Sequence, residues 1–141
     1  MTQIFKIIPV VLYLFVGIVC LIMAFKTLFA TKFLPFHEKA SGKLWDEIES
    51  PMKLLILSYL RLIGLGFLIV ALLLIVFPIV NYFNPNEFYI FAIPFLALIF
   101  CSGLCFVNYN LYKKTNANTP WKGSIYAMIV IIAGIIISIL V

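Results

Sequence analysis

One basic residue lies inside a long apolar stretch of the chain. Between Leu54 and Phe77, Arg61 is the only charged side chain. A charge in the hydrocarbon core of a bilayer costs ~3 kcal/mol on insertion scales, so chains keep one chiefly where it has a function. The planar guanidinium carries five donors that suit carboxylates, carbonyl oxygens and anionic ligands. Arg61 is therefore the first candidate for a binding residue.

Two hypotheses remain open for Arg61. It follows Lys53 by eight residues, about 12 Å along a helix, so its long side chain could reach the headgroups by snorkelling. Alternatively, Ser58 and Gly64 give it a narrow helix face that another helix could approach, and Arg61 would line a pocket in the cytoplasmic half. Polar side chains expected at matching depth would join that pocket: Asn108, Tyr109 and Glu47.

Other residues with reactive side chains are sparse. The three cysteines lie in apolar stretches without CxxC spacing, which is typical of small packing residues. His37 lies near Glu38, Asp46 and Glu49, and imidazole with carboxylates can hold iron or zinc. One histidine among scattered acids is more typical of a solvated loop, so we expect no metal site. His37 and Trp45 remain candidates for contacting a ligand or partner.

Motifs for catalysis are missing from the sequence. It contains no glycine-rich phosphate loop, no Ser-His-Asp combination and no basic stripe suited to nucleic acid. The net charge of +5 is explained by anchoring to anionic headgroups. We expect a non-enzymatic role, with no catalytic residue, no cofactor and no nucleic-acid partner.

The elements that would position these residues follow from composition. The chain has 141 residues, of which 65% are hydrophobic and 11% are charged, whereas soluble domains carry roughly 25% charged residues. Runs of about 20 apolar residues indicate membrane-spanning helices. The sequence predicts a single all-α domain, 1–141, an integral membrane four-helix bundle with spans at about 7–30, 54–80, 88–112 and 121–141.

The first loop contains an amphipathic stretch. Leu44, Trp45, Ile48 and Met52 fall on one face at helical spacing, with acidic residues elsewhere. Tryptophan favours the headgroup level of a bilayer. The pattern therefore predicts a short amphipathic helix, about 43–50, that lies in the membrane interface.

Small residues recur at helical spacing in three spans. Glycine, alanine and cysteine let helix backbones approach closely in a membrane. We therefore expect helix packing through a set of small residues: Gly64, Cys101, Cys105, Gly123, Ala127 and Gly134. The same faces could receive a membrane protein partner or a second copy of the chain.

Lysine placement predicts the orientation. The first and third loops with their flanks carry eight lysines, whereas the N-terminus carries only Lys6 and the second loop none. Positively charged loops stay in the cytoplasm. We expect a multi-pass protein of the bacterial inner (cytoplasmic) membrane with both termini extracytoplasmic.

Several of these positions together resemble known sequences. Pro35-Phe36-His37, Ala40, Gly42 and Trp45, then Arg61 and Gly64, with Thr119-Pro120-Trp121 before the last span, are similar to a family of small bacterial four-span membrane proteins of uncharacterised function. The arginine and glycine in an apolar helix also resemble the DoxX-like superfamily. That resemblance implies a four-helix architecture, and some of those proteins are linked to quinone or thiol redox chemistry.

Two classes of function fit these observations. The first is a non-catalytic subunit or an assembly or accessory factor of a membrane complex, docking through its small-residue face. The alternative is a binder or enzyme for a lipophilic molecule, such as a quinone or lipid, in a cytoplasmic-leaflet pocket around Arg61. A transporter ranks third because the outer half of the spans has few polar residues to relay a substrate.

Overall fold

The protein is helical throughout the part that the structure describes. The computed structural model describes residues 2–140, with the side chains of 6–86 and 88–140. Within residues 2–140 there is no β-strand. The helices are α1 (Thr2–Leu28), α2 (Pro35–Ser41), α3 (Ser50–Phe83), α4 (Glu87–Thr115) and α5 (Trp121–Leu140), with a 3₁₀ turn at Trp45–Glu47.

Four of these helices are long and apolar enough to cross a bilayer. They comprise Lys6–Leu28, Ser50–Phe83, Phe88–Thr115 and Trp121–Leu140. The shortest has 20 residues, which is about 30 Å of helix and matches a hydrocarbon core. The all-helical class and the four apolar helices expected from the sequence are thus confirmed, and a multi-pass membrane protein follows. The predicted last residue of the fourth span, Val141, lies outside the described residues.

The four long helices pack side by side in a closed ring. α1 contacts α3 and α5, and α4 contacts α3 and α5. Neighbours run antiparallel, as aromatic pairs show: Phe67 meets Phe100, and Phe77 meets Tyr89. All four helices contribute to one apolar core, which includes Val16, Leu74, Ala97 and Ile131.

The most extensive helix contact joins α1 and α3, and it depends on Gly64. A methyl group placed on Gly64 would lie 2.7 Å from Thr27 Oγ1 and 2.9 Å from the Leu28 backbone nitrogen. Because a backbone atom cannot move aside as a side chain can, this approach requires glycine. The close contact fixes how α3, and therefore Arg61, sits against α1.

The first loop folds differently from the predicted interfacial helix at 43–50. An α-helix forms earlier, at Pro35–Ser41, and only the 3₁₀ turn Trp45–Glu47 falls in the predicted range. Pro35 is pre-organised for a first helical position, and Gly42, with φ +66°, ends the helix in the left-handed region. The segment after Gly42 then has extended backbone at Leu44 and Ile48, which leaves room for one short turn.

Candidate functional site

A cavity lies at the end of the ring where α1 and α4 begin and α3 and α5 end. Its volume is about 510 Å³, within the range of pockets that hold small molecules. α1 contributes Tyr13, α3 contributes Leu74 and Asn81, α4 contributes Tyr89, and α5 contributes Ser138. The cavity is therefore a product of all four long helices.

Every proline beyond the first turn of a described long helix borders this cavity. Pro9 lies in α1, Pro78 in α3 and Pro94 in α4, and each lines the wall. A proline inside a helix removes one backbone hydrogen bond and its ring crowds the preceding turn, which bends or loosens the helix. Three such positions at one end of the ring explain why the helices leave space there.

The Tyr13 side chain is buried at the contact between α1 and α5. It is 5% exposed, and its hydroxyl makes no hydrogen bond of good geometry within the described residues. Ser138 lies beside it; the Ser138 hydroxyl donates to the Gly134 carbonyl at 2.8 Å, and its oxygen keeps lone pairs that can accept the Tyr13 proton. Tyr13 therefore places a polar group in an otherwise apolar wall.

The rim of the cavity is polar and partly aromatic. Lys6 borders it near the start of α1, and Asn81 borders it near the end of α3. The Asn81 Oδ1 accepts a hydrogen bond from the Asn86 backbone N–H at 2.8 Å, which ties the α3–α4 loop to the rim. The Phe77 and Tyr89 rings meet at 5.3 Å. The site is thus an apolar chamber with a polar mouth.

Arg61 lies far from this cavity, toward the other end of α3. Its side chain is exposed, and within residues 6–86 and 88–140 it takes part in no hydrogen bond or ion pair. Ser58 is also exposed and donates its hydroxyl to the Leu54 carbonyl at 2.9 Å. Neither residue borders the 510 Å³ cavity, nor a groove of about 350 Å³ that Tyr59, Leu60 and Ile63 of the same helix help to line.

The other residues predicted near Arg61 make local contacts. The Asn108 side-chain amide donates to the Leu104 carbonyl at 2.9 Å, while the Asn108 backbone carbonyl accepts from the Thr119 hydroxyl at 2.7 Å. Tyr109 packs against Trp121, with ring centroids 5.4 Å apart. These contacts fasten the α4–α5 loop.

Glu47 likewise has a local role. Its Oε2 accepts a hydrogen bond from the Leu44 backbone N–H at 2.9 Å, which caps the 3₁₀ turn. The same turn holds Trp45, whose ring meets Phe33 at 5.0 Å and lies 5.6 Å from the Lys53 ammonium. These contacts connect the first loop to the start of α3.

His37 borders a second, more open groove of about 350 Å³ together with Tyr59, Leu60 and Leu111. The Leu34 backbone N–H points at the His37 Nδ1 at 3.4 Å, and the Phe36 ring lies 4.1 Å away. Burial lowers the pKa of His37 below its usual value. A neutral imidazole is therefore favoured, and it serves to cap α2.

Some of the small residues expected at helix contacts pack in the core, and others face open space. Gly134 packs against the Tyr13 ring, so that an added methyl group would lie 2.6 Å from Cε1. Ala127 packs against the core and Cys101 is buried within it, whereas an added methyl group at Gly123 would meet nothing within 4 Å. Cys105 is half-buried.

Within residues 6–86 and 88–140 no cluster of three His, Cys, Asp or Glu side chains could hold a metal ion.

Sequence reasoning missed Tyr13 and the cavity. A tyrosine in an apolar run looks like a packing residue, and the volume depends on how four helices diverge. The signal was the prolines: Pro9 and Pro94 fall near the starts of their spans, and Pro78 falls near the end of its span. Aligning the spans by their expected orientation would have brought them together.

Comparison of the chain with protein-family models, with curated proteins and with solved structures finds no match.

Proposed function

We propose that this chain is a multi-pass protein of the bacterial cytoplasmic membrane that binds a lipophilic small molecule in the four-helix cavity. The observation that carries the proposal is an apolar chamber of about 510 Å³ to which all four long helices contribute, with the buried Tyr13 side chain in its wall. Cavities of this size with a mostly apolar lining and a few polar groups are typical of small-molecule sites.

The site accounts for both parts of such a ligand. Apolar side chains such as Leu74, Phe77 and Ile93 border the chamber and would cover a hydrophobic body. The lysine distribution supports extracytoplasmic termini, so the mouth beside Lys6 would open toward the outer leaflet. The proposed function therefore needs no catalytic group. We also propose that the chain belongs with the small bacterial four-span proteins it resembles.

The test compares the compounds that co-purify with the wild-type protein and with a variant in which a larger side chain fills the cavity. Val10 borders the chamber and is half-buried, whereas its neighbour Val11 is 55% exposed on the outside of the ring. We expect the wild-type protein, purified in mild detergent, to retain a lipophilic compound detectable by mass spectrometry. Val10→Phe should reduce its amount by about tenfold or more, since the added ring occupies ligand volume.

Val11→Phe is the matched control, with the same change on a surface that faces away from the cavity. It should retain the compound at the wild-type level. Thermal unfolding in the same detergent establishes that both variants fold. Equal amounts of every extracted compound in all three proteins would overturn the proposal.

A second function is favoured by a separate observation. Gly103 in α4 and Gly123 in α5 face open space, since an added methyl group at either would meet nothing within 4 Å. Exposed helix glycines in a membrane permit close approach of another helix. A non-catalytic subunit or assembly factor would use such positions to contact a partner, and co-purification of a stoichiometric protein lost in Gly123→Leu would support it.

A further inference from the structure

We infer that the cavity takes an amphiphile whose anionic head group, a carboxylate or a phosphate, stays at the mouth while its apolar body extends toward the core. This inference rests on the proposed function and specifies the ligand class. The juxtaposition that carries it is an apolar floor below a mouth that Lys6 and Asn81 border.

The lining of the cavity changes with depth. Five of its residues are buried and form the floor: Pro9, Tyr13, Leu74, Ile93 and Pro94. Three others are exposed and mark the mouth: Lys6, Tyr82 and Pro85. A bound molecule therefore has one end in the core of the ring and the other end near solvent.

The floor is a poor place for a polar head group. The Tyr13 hydroxyl is fully enclosed, and the neighbouring Ser138 hydroxyl donates to the Gly134 carbonyl at 2.8 Å. Leu74 and Ile93 add apolar side chains. A head group placed there would lose its water without gaining partners, which is costly for a hydroxyl and far more so for a charge. The apolar body therefore occupies the floor, and the head group lies at the mouth.

The mouth offers hydrogen-bond donors and a positive charge. Among the described residues that border the cavity, Lys6 is the only charged one, and its ammonium has three donors on a flexible stem. The Asn81 Oδ1 already accepts from the Asn86 backbone N–H at 2.8 Å, so Asn81 can still offer its amide N–H groups. Donors that include a cation suit the oxygens of a carboxylate or a phosphate.

The test uses four probes that share one body: dodecanoate, dodecyl phosphate, dodecanol and dodecylammonium. Binding to the full chain in a non-ionic detergent is measured by native mass spectrometry and by thermal stabilisation, at a mildly alkaline pH that keeps the carboxylate ionised. We expect both anions to bind about fivefold more tightly than dodecanol, since an ion pair at an exposed rim is partly screened. Dodecylammonium should bind most weakly.

The two anions distinguish the possible sources of the head group. Tighter binding of dodecanoate would support the inference with a fatty acid as the ligand. Tighter binding of dodecyl phosphate would support it with a phosphate-headed lipid.

Variants test whether Lys6 is responsible. Lys6→Gln should bring both anions down to about the affinity of dodecanol. Lys26→Gln is the matched control, because Lys26 is also exposed but lies in the last turn of α1, away from the cavity; it should keep the fivefold preference. Glu87 begins α4 at the cavity end of the ring, and Glu87→Gln removes a negative charge there. That variant should therefore prefer the anions at least as strongly as the wild type does.

Three results would overturn the inference on the head group. They are dodecanol that binds as tightly as both anions, a preference for anions that survives Lys6→Gln, and one that disappears in Lys26→Gln or Glu87→Gln. The proposed function survives each of them if Val10→Phe still reduces the binding of every probe and Val11→Phe does not. If no probe binds and Val10→Phe leaves the extracted compounds unchanged, both proposals fail.

Discussion

Tyr13 and Gly134 show how one residue contact sets the geometry of the site. The absence of a side chain at Gly134 lets the Tyr13 ring lie against α5, with Cε1 2.6 Å from where a methyl group would stand. The ring position in turn holds the hydroxyl beside Ser138 at the cavity wall. The glycine therefore acts on the site through the tyrosine.

Gly134→Ala should destabilise the protein by about 1–3 kcal/mol, because the ring must move in a packed core. Unfolding in detergent, followed by circular dichroism, measures the change. Gly123→Ala is the matched control, since nothing lies within 4 Å there, and it should stabilise by about 0.5–1 kcal/mol through helix propensity. In a Tyr13→Leu background the Gly134→Ala penalty should shrink. An unchanged penalty in that background would mean that another contact is responsible.

Arg61 represents the opposite case at the residue scale. It is exposed, and a guanidinium on the outside of a spanning helix can extend its apolar stem along the helix toward the headgroups. We therefore favour snorkelling over a pocket for this residue.

Arg61→Lys should change the free energy of unfolding by less than about 0.5 kcal/mol, since an ammonium on a similar stem reaches the same headgroups. Arg61→Leu should also leave the fold intact. The unfolding of both variants is measured in nanodiscs, and the compounds extracted from each are identified by mass spectrometry. A marked loss of any bound compound in Arg61→Lys would contradict snorkelling, because only a site that needs the planar guanidinium would distinguish the two residues.

At the scale of the elements, we expect the stability of the short helix α2 in the first loop to depend on pH. His37 caps α2 by accepting from the Leu34 backbone N–H at 3.4 Å, which only an unprotonated Nδ1 can do. Burial lowers the pKa of His37, so the unfolded segment, with a pKa of ~6.5, takes up a proton first as the pH falls. The stability of α2 should be full above that pH and should decline as the pH falls toward the lowered value.

The fluorescence of Trp45 reports this change, because its ring packs on Phe33 at 5.0 Å beside α2. In a Trp121→Phe background, quenching of Trp45 by a water-soluble agent should increase as the pH falls through the weakly acidic range. His37→Gln keeps an acceptor at the same helix position and does not titrate, so its quenching should be independent of pH. Identical pH profiles for the two proteins would contradict the assignment to His37.

Element prediction succeeded where composition dominates and failed where single residues decide. Four apolar runs predicted the four long helices, because twenty apolar residues in a row have few other stable arrangements. The prediction for the first loop was wrong because it follows the amphipathic spacing at 43–52 rather than Pro35 and Gly42, which delimit the helix that forms. Both signals were in the sequence, and the backbone constraint was the stronger.

The cavity was not predictable in the same way. Its walls come from four helices, and its volume depends on tertiary divergence that no single segment encodes. Two of the polar side chains expected around Arg61 form local hydrogen bonds: the Asn108 amide donates to the Leu104 carbonyl, and Glu47 accepts from the Leu44 backbone N–H. Residue counting can place side chains at the same depth in the membrane, but it does not say which neighbouring helix each side chain faces. That orientation depends on how the helices pack.

At the scale of the whole molecule, the orientation decides which compartment the cavity faces. The cavity lies where α1 and α4 begin, whereas Lys113 and Lys114 lie at the far end of α4. If the lysine-rich loops are cytoplasmic, ligands would enter from the outer leaflet.

We therefore expect alkaline phosphatase fused after Val141 to be active and a fluorescent protein fused there to be dark, because only the first folds in the periplasm. Fusions inserted after Asn116 should give the opposite pattern. The substitutions Pro85→Lys and Asn86→Lys, combined with Lys113→Gln and Lys114→Gln, should weaken the preference for extracytoplasmic termini. Lysine placement, rather than apolarity, sets the orientation of the spans. An inactive phosphatase together with a bright fluorescent protein at Val141 would show that the topology is the reverse of the one expected. The cavity itself would stand, but its mouth would then open to the cytoplasmic leaflet and its ligand would have to come from there.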